Sequence, residues 1–455
     1  MWLGVLAAVL LLPAPPRAHY ASPLGSPNGD GSRANPWDLA TALAGGRGRV
    51  QPGDTVWLRG GVYHGRFVST LAGTAAQPIV VRQAPRERAV LDHRGAKDDA
   101  FVVQGSWTWY WGFELTNSDP VRRGPPTSSS FRPDVVVNDG EHNRYINLVV
   151  HDGGVAFYNY GTSPDVEVSG CILFDNGWVA IDRGHGHALY VKSDTGTVVL
   201  RDNVVFDQFG YGVHAYTDKG HGSLRNIRVE GNFLFDNGAA GGGGSANLLV
   251  GGAEPAAGIV VSDNVSYVSP GVESANVLLG FGSVRNADAV IRGNVAVGGS
   301  PVLRLRHWAA VTVLNNTWTG AGSAVVVEDA DTGGGRWRGN RVSQAGSGSP
   351  GPLVVVRPNA YEPGRAFVAV YNPAALATVP VDLAGVLRRG ERYEVRNVQA
   401  LDGPAVATGT YVGVPVAIPT APVPRPIPIG LTAPPAAPTG PVFNVFLVVR
   451  LLPRD

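Results

Sequence analysis

A short strand headed by asparagine recurs down the middle of the chain and narrows the folds open to it. It stands at Asn147-Leu148-Val149-Val150, Asn203-Val204-Val205-Phe206, Asn232-Phe233-Leu234-Phe235, Asn264-Val265-Ser266-Tyr267, Asn294-Val295-Ala296-Val297, Asn316-Thr317-Trp318 and Asn340-Arg341-Val342. Cys171-Ile172-Leu173-Phe174 fills the missing turn, and successive steps are 24, 32, 29, 32, 30, 22 and 24 residues. Such spacing suits a coil of near-constant length with loops inserted on one side. Stacked asparagines can hydrogen-bond from rung to rung and tolerate the tight turn between strands. A chain of 455 residues would otherwise suggest about three domains of roughly 150 residues, but a solenoid grows by adding rungs.

Composition agrees with an all-β coil. Hydrophobic content of 44% supplies a large core, and 61 Gly with 35 Pro call for many turns. The net charge is +1, and only Lys97, Lys192 and Lys219 are lysines among 37 basic residues. Without a basic face or tail, nucleic acid and anionic membrane are poor partners. The apolar run Met1 to Leu12 is too short to span a bilayer but long enough for a signal-peptide core, although no basic residue precedes it. With a small-residue cleavage site at Pro16-Arg17-Ala18, residues 1–18 are expected to be a signal peptide. The mature protein is then secreted, extracellular or periplasmic, without a transmembrane segment, and a monomer. The lone Cys171 can form no internal disulfide and is given no role.

The coil is expected over residues 19–350. After Gly351 the runs Leu353–Val356, Ala366–Tyr371, Tyr393–Arg396 and Phe443–Val449 read as antiparallel strands, hence a small C-terminal β-sandwich over 351–455. Its stretch from Pro415 to Pro441 is too rich in proline for regular structure and reads as a strap.

The opening of the chain, with Tyr20-Ala21-Ser22-Pro23, Pro36-Trp37-Asp38-Leu39, Pro52-Gly53-Asp54-Thr55-Val56-Trp57-Leu58-Arg59-Gly60-Gly61-Val62-Tyr63 and Pro78-Ile79-Val80-Val81-Arg82, resembles the N-terminal cap and first rungs of pectate-lyase-like secreted β-helix proteins. That superfamily includes polysaccharide lyases of the alginate-lyase and chondroitinase type. The resemblance implies a right-handed, single-stranded parallel β-helix and an exported protein acting on a polysaccharide. Because hydrolases, epimerases and non-catalytic binders share the fold, chemistry must be read from the residues.

Three rungs align without gaps through their second strand: Gly154–Tyr160, Gly186–Lys192 and Gly210–Tyr216. Side chains alternate across a strand, so Phe157, Leu189, Val191, Val213 and Ala215 belong inside. The opposite parity gives two outward columns about 4.8 Å per rung, Tyr158, Tyr190, His214 and Tyr160, Lys192, Tyr216, expected to share one solvent-facing groove. Flat rings suit sugar stacking, and a lysine among rings is a group whose pKa can fall toward neutrality. Aromatic ladders that merely stabilise the sheet are the plainer reading. The insertion Asp182–His187 borders the groove. Its Arg183 can pair a substrate carboxylate, and His185 and His187 can touch a bound sugar, as can Tyr211; a third ligand for a zinc site is lacking.

A column of Asp175, Asp207 and Asp236 follows Phe174, Phe206 and Phe235; it could hold calcium, though capping of local turns, with the phenylalanines stacked in the core, is the simpler use. The stripe Trp107, Trp109, Trp111 shares parity with Phe113 and Leu115 and is expected in the core. Three functions follow. A lyase acting by β-elimination on a uronate polymer would use Lys192 or His214 as base, Tyr190 as acid and Arg183 to neutralise the carboxylate. A glycoside hydrolase would need two carboxylates, with Asp182, Asp194 and Asp218 available. A non-catalytic carbohydrate-binding or envelope protein needs only the rings. The lyase is the leading expectation, with no cofactor required and calcium left open.

Overall fold

The protein, described by a computed structural model over residues 15–126, 131–321, 324–344 and 351–451, is a parallel coil carrying an antiparallel unit on one flank. The apolar run Met1 to Leu12, the core of the expected signal peptide, lies outside the described residues. From Arg17, whose N–H donates to Asp54 Oδ1 at 2.7 Å, the chain is engaged, and Ala18–Ala21 pairs in parallel with Thr55–Leu58.

Three strand series run up the coil. The first includes Phe157–Asn159, Leu189–Val191 and Val213–Ala215; the second Val166–Ser169, Val198–Arg201 and Ile227–Glu230; the third Ile172–Phe174, Val204–Phe206 and Phe233–Phe235. Neighbours in each series pair in parallel and in register, and the series continue to Arg341–Gln344. Inside lie Val, Leu, Ile and Phe from every rung, including Phe157, Leu189 and Val213, each at most 2% exposed. Burying each such side chain contributes about 1.5–3 kcal/mol, repeated at every turn.

The asparagines close the corner between the second and third series. Asn203 Nδ2 donates to Asn232 Oδ1 at 2.9 Å, and the relay continues through Asn264, Asn294, Asn316 and Asn340 at 2.9–3.0 Å. Cys171 occupies the slot below, its N–H donating to Asn203 Oδ1. Asn147 does not belong to this ladder. Val149 pairs with Ile172, which puts Leu148 opposite Cys171 and leaves Asn147 one position early, at φ 53°, in the left-handed column of Asp202, Asp263 and Asn315. Asparagine suits both columns, the left-handed one because it tolerates positive φ, and this made the two positions indistinguishable by residue type.

The tryptophan stripe also departs from expectation. Tyr110 and Thr108 are buried, and Trp109 and Trp111 face outward beneath the guanidinium groups of Arg144 and Arg82, 4.8 and 4.0 Å from the ring centroids. Gly112, at φ 73°, breaks the alternation before Phe113, so parity does not carry across it.

Past Gly351, five antiparallel strands form a sheet and Thr378–Val381 with Val416–Pro419 form a second layer over it. Ala366, Val368 and Val448 face that layer, whereas Phe367, Val445 and Leu447 face the third series of the coil. There Phe174, Phe206 and Phe235 stack at 5.2 and 4.8 Å, not in the interior of the coil but in a second core beneath the C-terminal sheet, because Leu173, Val205 and Leu234 take the inward parity. The proline-rich strap runs along the aspartates that end these strands. Asp152, Asp175, Asp207 and Asp236 all have left-handed φ, from 49° to 59°. Arg425 from the strap, 4% exposed, inserts its guanidinium between Asp207 and Asp236, while Asp152 takes Arg122 and the Ile429 N–H.

Candidate functional site

The outward positions of the first series build a cleft of about 490 Å³. Its floor is the predicted column: Tyr158 pairs with Tyr190 and Tyr190 with His214, with ring centroids 5.0 Å apart at each step. Tyr216 and Tyr211 stack on His214 at 4.8 and 4.6 Å, nearly parallel to it. Offset and edge contacts of this kind add about 0.5–1.5 kcal/mol per pair and fix ring orientation.

One wall comes from a short antiparallel hairpin, Trp178–Val179 against Gly184–His185. It brings Arg183 and His185 to the cleft, with His185 stacked on Trp178 at 5.3 Å and its Nε2 2.9 Å from Asp182 Oδ1. His187 follows at the corner, where Ala188 and Leu189 both turn inward and leave the preceding side chain outward. Its Nδ1 accepts the Tyr211 N–H at 3.0 Å, which leaves Nε2 as the protonated nitrogen, and its ring centre lies 4.2 Å from that of His214.

Lys192 and His214 point outward but are not freely solvated: each is 8% exposed. Gly222 roofs Lys192, so close that a Cβ there would sit 3.2 Å from its Cδ. The Lys192 amine lies over Tyr158 and Tyr190, 5.6 and 5.4 Å from their centroids, beside the cleft rather than in its lining, and Tyr160 is likewise peripheral and 41% exposed. Burial lowers the Lys192 pKa, against the opposing pull of Asp218 and Asp194. Burial also holds His187 down to about 3 and His214 well below its ordinary value, His214 further so beside His187, Arg183 and Lys192, so both imidazoles are neutral at physiological pH. His214 Nδ1 is buried without a partner. The Tyr158 hydroxyl is pushed up to about 12 and that of Tyr190 further, by burial and by nearby negative charge.

Two carboxylates reach this cleft, Asp218 after the strand Val213–Ala215 and Asp134 before Val136–Asn138. Asp134 was not singled out from the sequence. Its signal was positional: Val136 pairs with Phe101, so Asp134 and Asp99 both stand two residues before a strand of the same series. Of the other carboxylates considered for hydrolysis, Asp182 is hydrogen-bonded to His185 and Asp194 accepts the Ser223 N–H.

A calcium ion does not fit the aspartate column. Arg425 and Arg122 already supply the positive charge there, and among the described residues no group of three or more His, Cys, Asp or Glu side chains is arranged to hold a metal. No helix among them is long and apolar enough to cross a membrane.

No family model matches the chain. Pectate lyase L of Thermoclostridium stercorarium is 22% identical over 296 residues, covering 61% of this chain and 22% of that protein, so the chain spans less than a quarter of this relative. A rhamnogalacturonan lyase structure matches 73% of this chain and 88% of its own at 16% identity and a TM-score of 0.50. The structure of pectate lyase Pel9A matches 72% and 80% at 16% identity and a TM-score of 0.47. Identities this low speak to the fold alone, and the rhamnogalacturonan lyase match agrees with the three strand series and the asparagine ladder: the chain is a right-handed parallel β-helix, similar in fold to that lyase, with a C-terminal antiparallel β-sandwich.

Proposed function

We propose that this protein is an exported polysaccharide lyase that binds a uronate-containing chain across the first strand series and cleaves it by β-elimination. The observation that carries the reading is the column Tyr158, Tyr190, His214 with the Lys192 amine held over its tyrosine rings. The rings offer stacking faces for sugars, and Tyr160, Tyr211 and Tyr216 extend that surface. Lys192 is the base: its lowered pKa raises the fraction of neutral amine that can take the proton beside the uronate carboxylate. Arg183, on the hairpin wall, pairs the carboxylate and stabilises the charge that develops on it as the proton leaves. Tyr190, protonated throughout the physiological range, is a candidate acid for the leaving oxygen. His185 and His187 present ring edges to the bound sugar, and His214, neutral, serves as floor and hydrogen-bonding partner.

Incubation of the purified protein with acidic and neutral polysaccharides, followed by ultraviolet absorbance and by reducing ends, tests this. Elimination creates a conjugated double bond, so both signals rise together on an acidic polymer. Reducing ends without absorbance point to hydrolysis, and neither signal to binding alone.

A further inference from the structure

We propose that Asp134 is a further catalytic residue of this cleft, the carboxyl group that protonates the departing glycosidic oxygen. The inference rests on the lyase reading above and adds a proton donor to it. Strands of the first series run parallel, so Asp134, two residues before its strand, and Asp218, three residues after Ala215, approach the tyrosine floor from opposite edges. Both carboxyl groups line the same cleft as Tyr158 and Tyr190. Asp134 Oδ1 accepts the Val155 N–H at 3.1 Å, which fixes the carboxyl while leaving its second oxygen for the cleft.

The surroundings keep this group in the donor form. Burial, then the like charge of Asp99, push Asp134 up to about 7. Tyr190, the other candidate acid, is the poorer donor because its hydroxyl is pushed far above neutrality. In the step, the Lys192 amine takes the proton beside the carboxylate, and the carbon–hydrogen electron pair becomes the new carbon–carbon double bond. The bond to the glycosidic oxygen breaks, its electron pair stays on that oxygen, and the oxygen takes the Asp134 proton. Asp134 is left as carboxylate and Lys192 as ammonium; proton exchange with water restores both.

The test compares wild type, Asp134→Asn and Asp134→Glu on polygalacturonate and alginate, and on a small uronide whose β-oxygen bears a nitrophenyl group, which departs without a proton. Asp134→Asn should lose about 10²–10⁴ in kcat on the polymer with KM little changed, and far less on the nitrophenyl substrate. Asp134→Glu should recover part of the polymer activity. Wild-type kcat/KM should climb to about pH 7, hold level, then fall above the Lys192 value; in Asp134→Asn the break near 7 vanishes and the rate keeps climbing. Equal losses on both substrates, or polymer turnover near wild type, would overturn the assignment while the lyase reading stands. A wild-type chain that eliminates neither polymer nor the nitrophenyl substrate overturns the lyase reading itself, and Asp134 with it.

Discussion

Lys192 is one of three lysines in the chain, and its surroundings differ from those of a solvated surface cation. Gly222 covers its stem and two tyrosine rings lie under its amine. Desolvation disfavours the charged form, so the group loses its proton at a lower pH than a free lysine, and the alkaline break in the pH profile should fall below the ordinary lysine range. Lys192→Ala should cost about 10²–10⁴ in kcat, with thermal unfolding near that of wild type because an outward side chain contributes little to the inner core. Lys192→Arg should not restore the rate, since guanidinium stays protonated. Steady-state kinetics beside a melting curve checks both, and a Lys192→Ala variant that turns over like wild type removes the base from the account.

Two structural devices hold the rungs in register, and each makes a stability prediction. In the ladder, Asn264 Oδ1 accepts both the N–H and the side-chain amide of Asn232, and its own amide reaches Val229 O and Asn294. Asn264→Ala strands these buried groups at about 1–3 kcal/mol each, so urea unfolding should show a clear loss, larger than that for Asn340→Ala at the half-exposed end. On the flank, Arg425→Ala leaves Asp207 and Asp236 buried without their counter-ion, a change worth about 3–5 kcal/mol, and adding Asp207→Asn should recover part of it. Equal urea midpoints for wild type and Arg425→Ala would mean the strap contributes nothing. The ladder was legible in the sequence because its spacing repeats; the Arg425 bridge was not, since 218 residues separate it from Asp207 and nothing local marks the contact. Parity succeeded at Phe157, Leu189 and Val213, where the strands are regular, and failed at Trp109 and Trp111, where Gly112 resets the backbone.

Seen whole, the molecule divides its faces between work and support. The third series is roofed by the C-terminal sheet and strap, whereas the first keeps an open cleft whose floor carries one ring on each of three rungs, a geometry that would suit the repeating polymer of the proposed function. Fold and cleft floor could be read from periodicity; the closeness of the roofing over Lys192 and the arrival of Asp134 depend on loops and corners that carry no period. The crystal structure of the Lys192→Ala variant soaked with an acidic oligosaccharide tests the assignment of the cleft most directly. The account predicts sugar rings lying over Tyr158, Tyr190 and His214, with one carboxylate turned toward Arg183 and a glycosidic oxygen beside Asp134. An oligosaccharide seated instead between the coil and the C-terminal sheet, with the tyrosine floor bare, would contradict it.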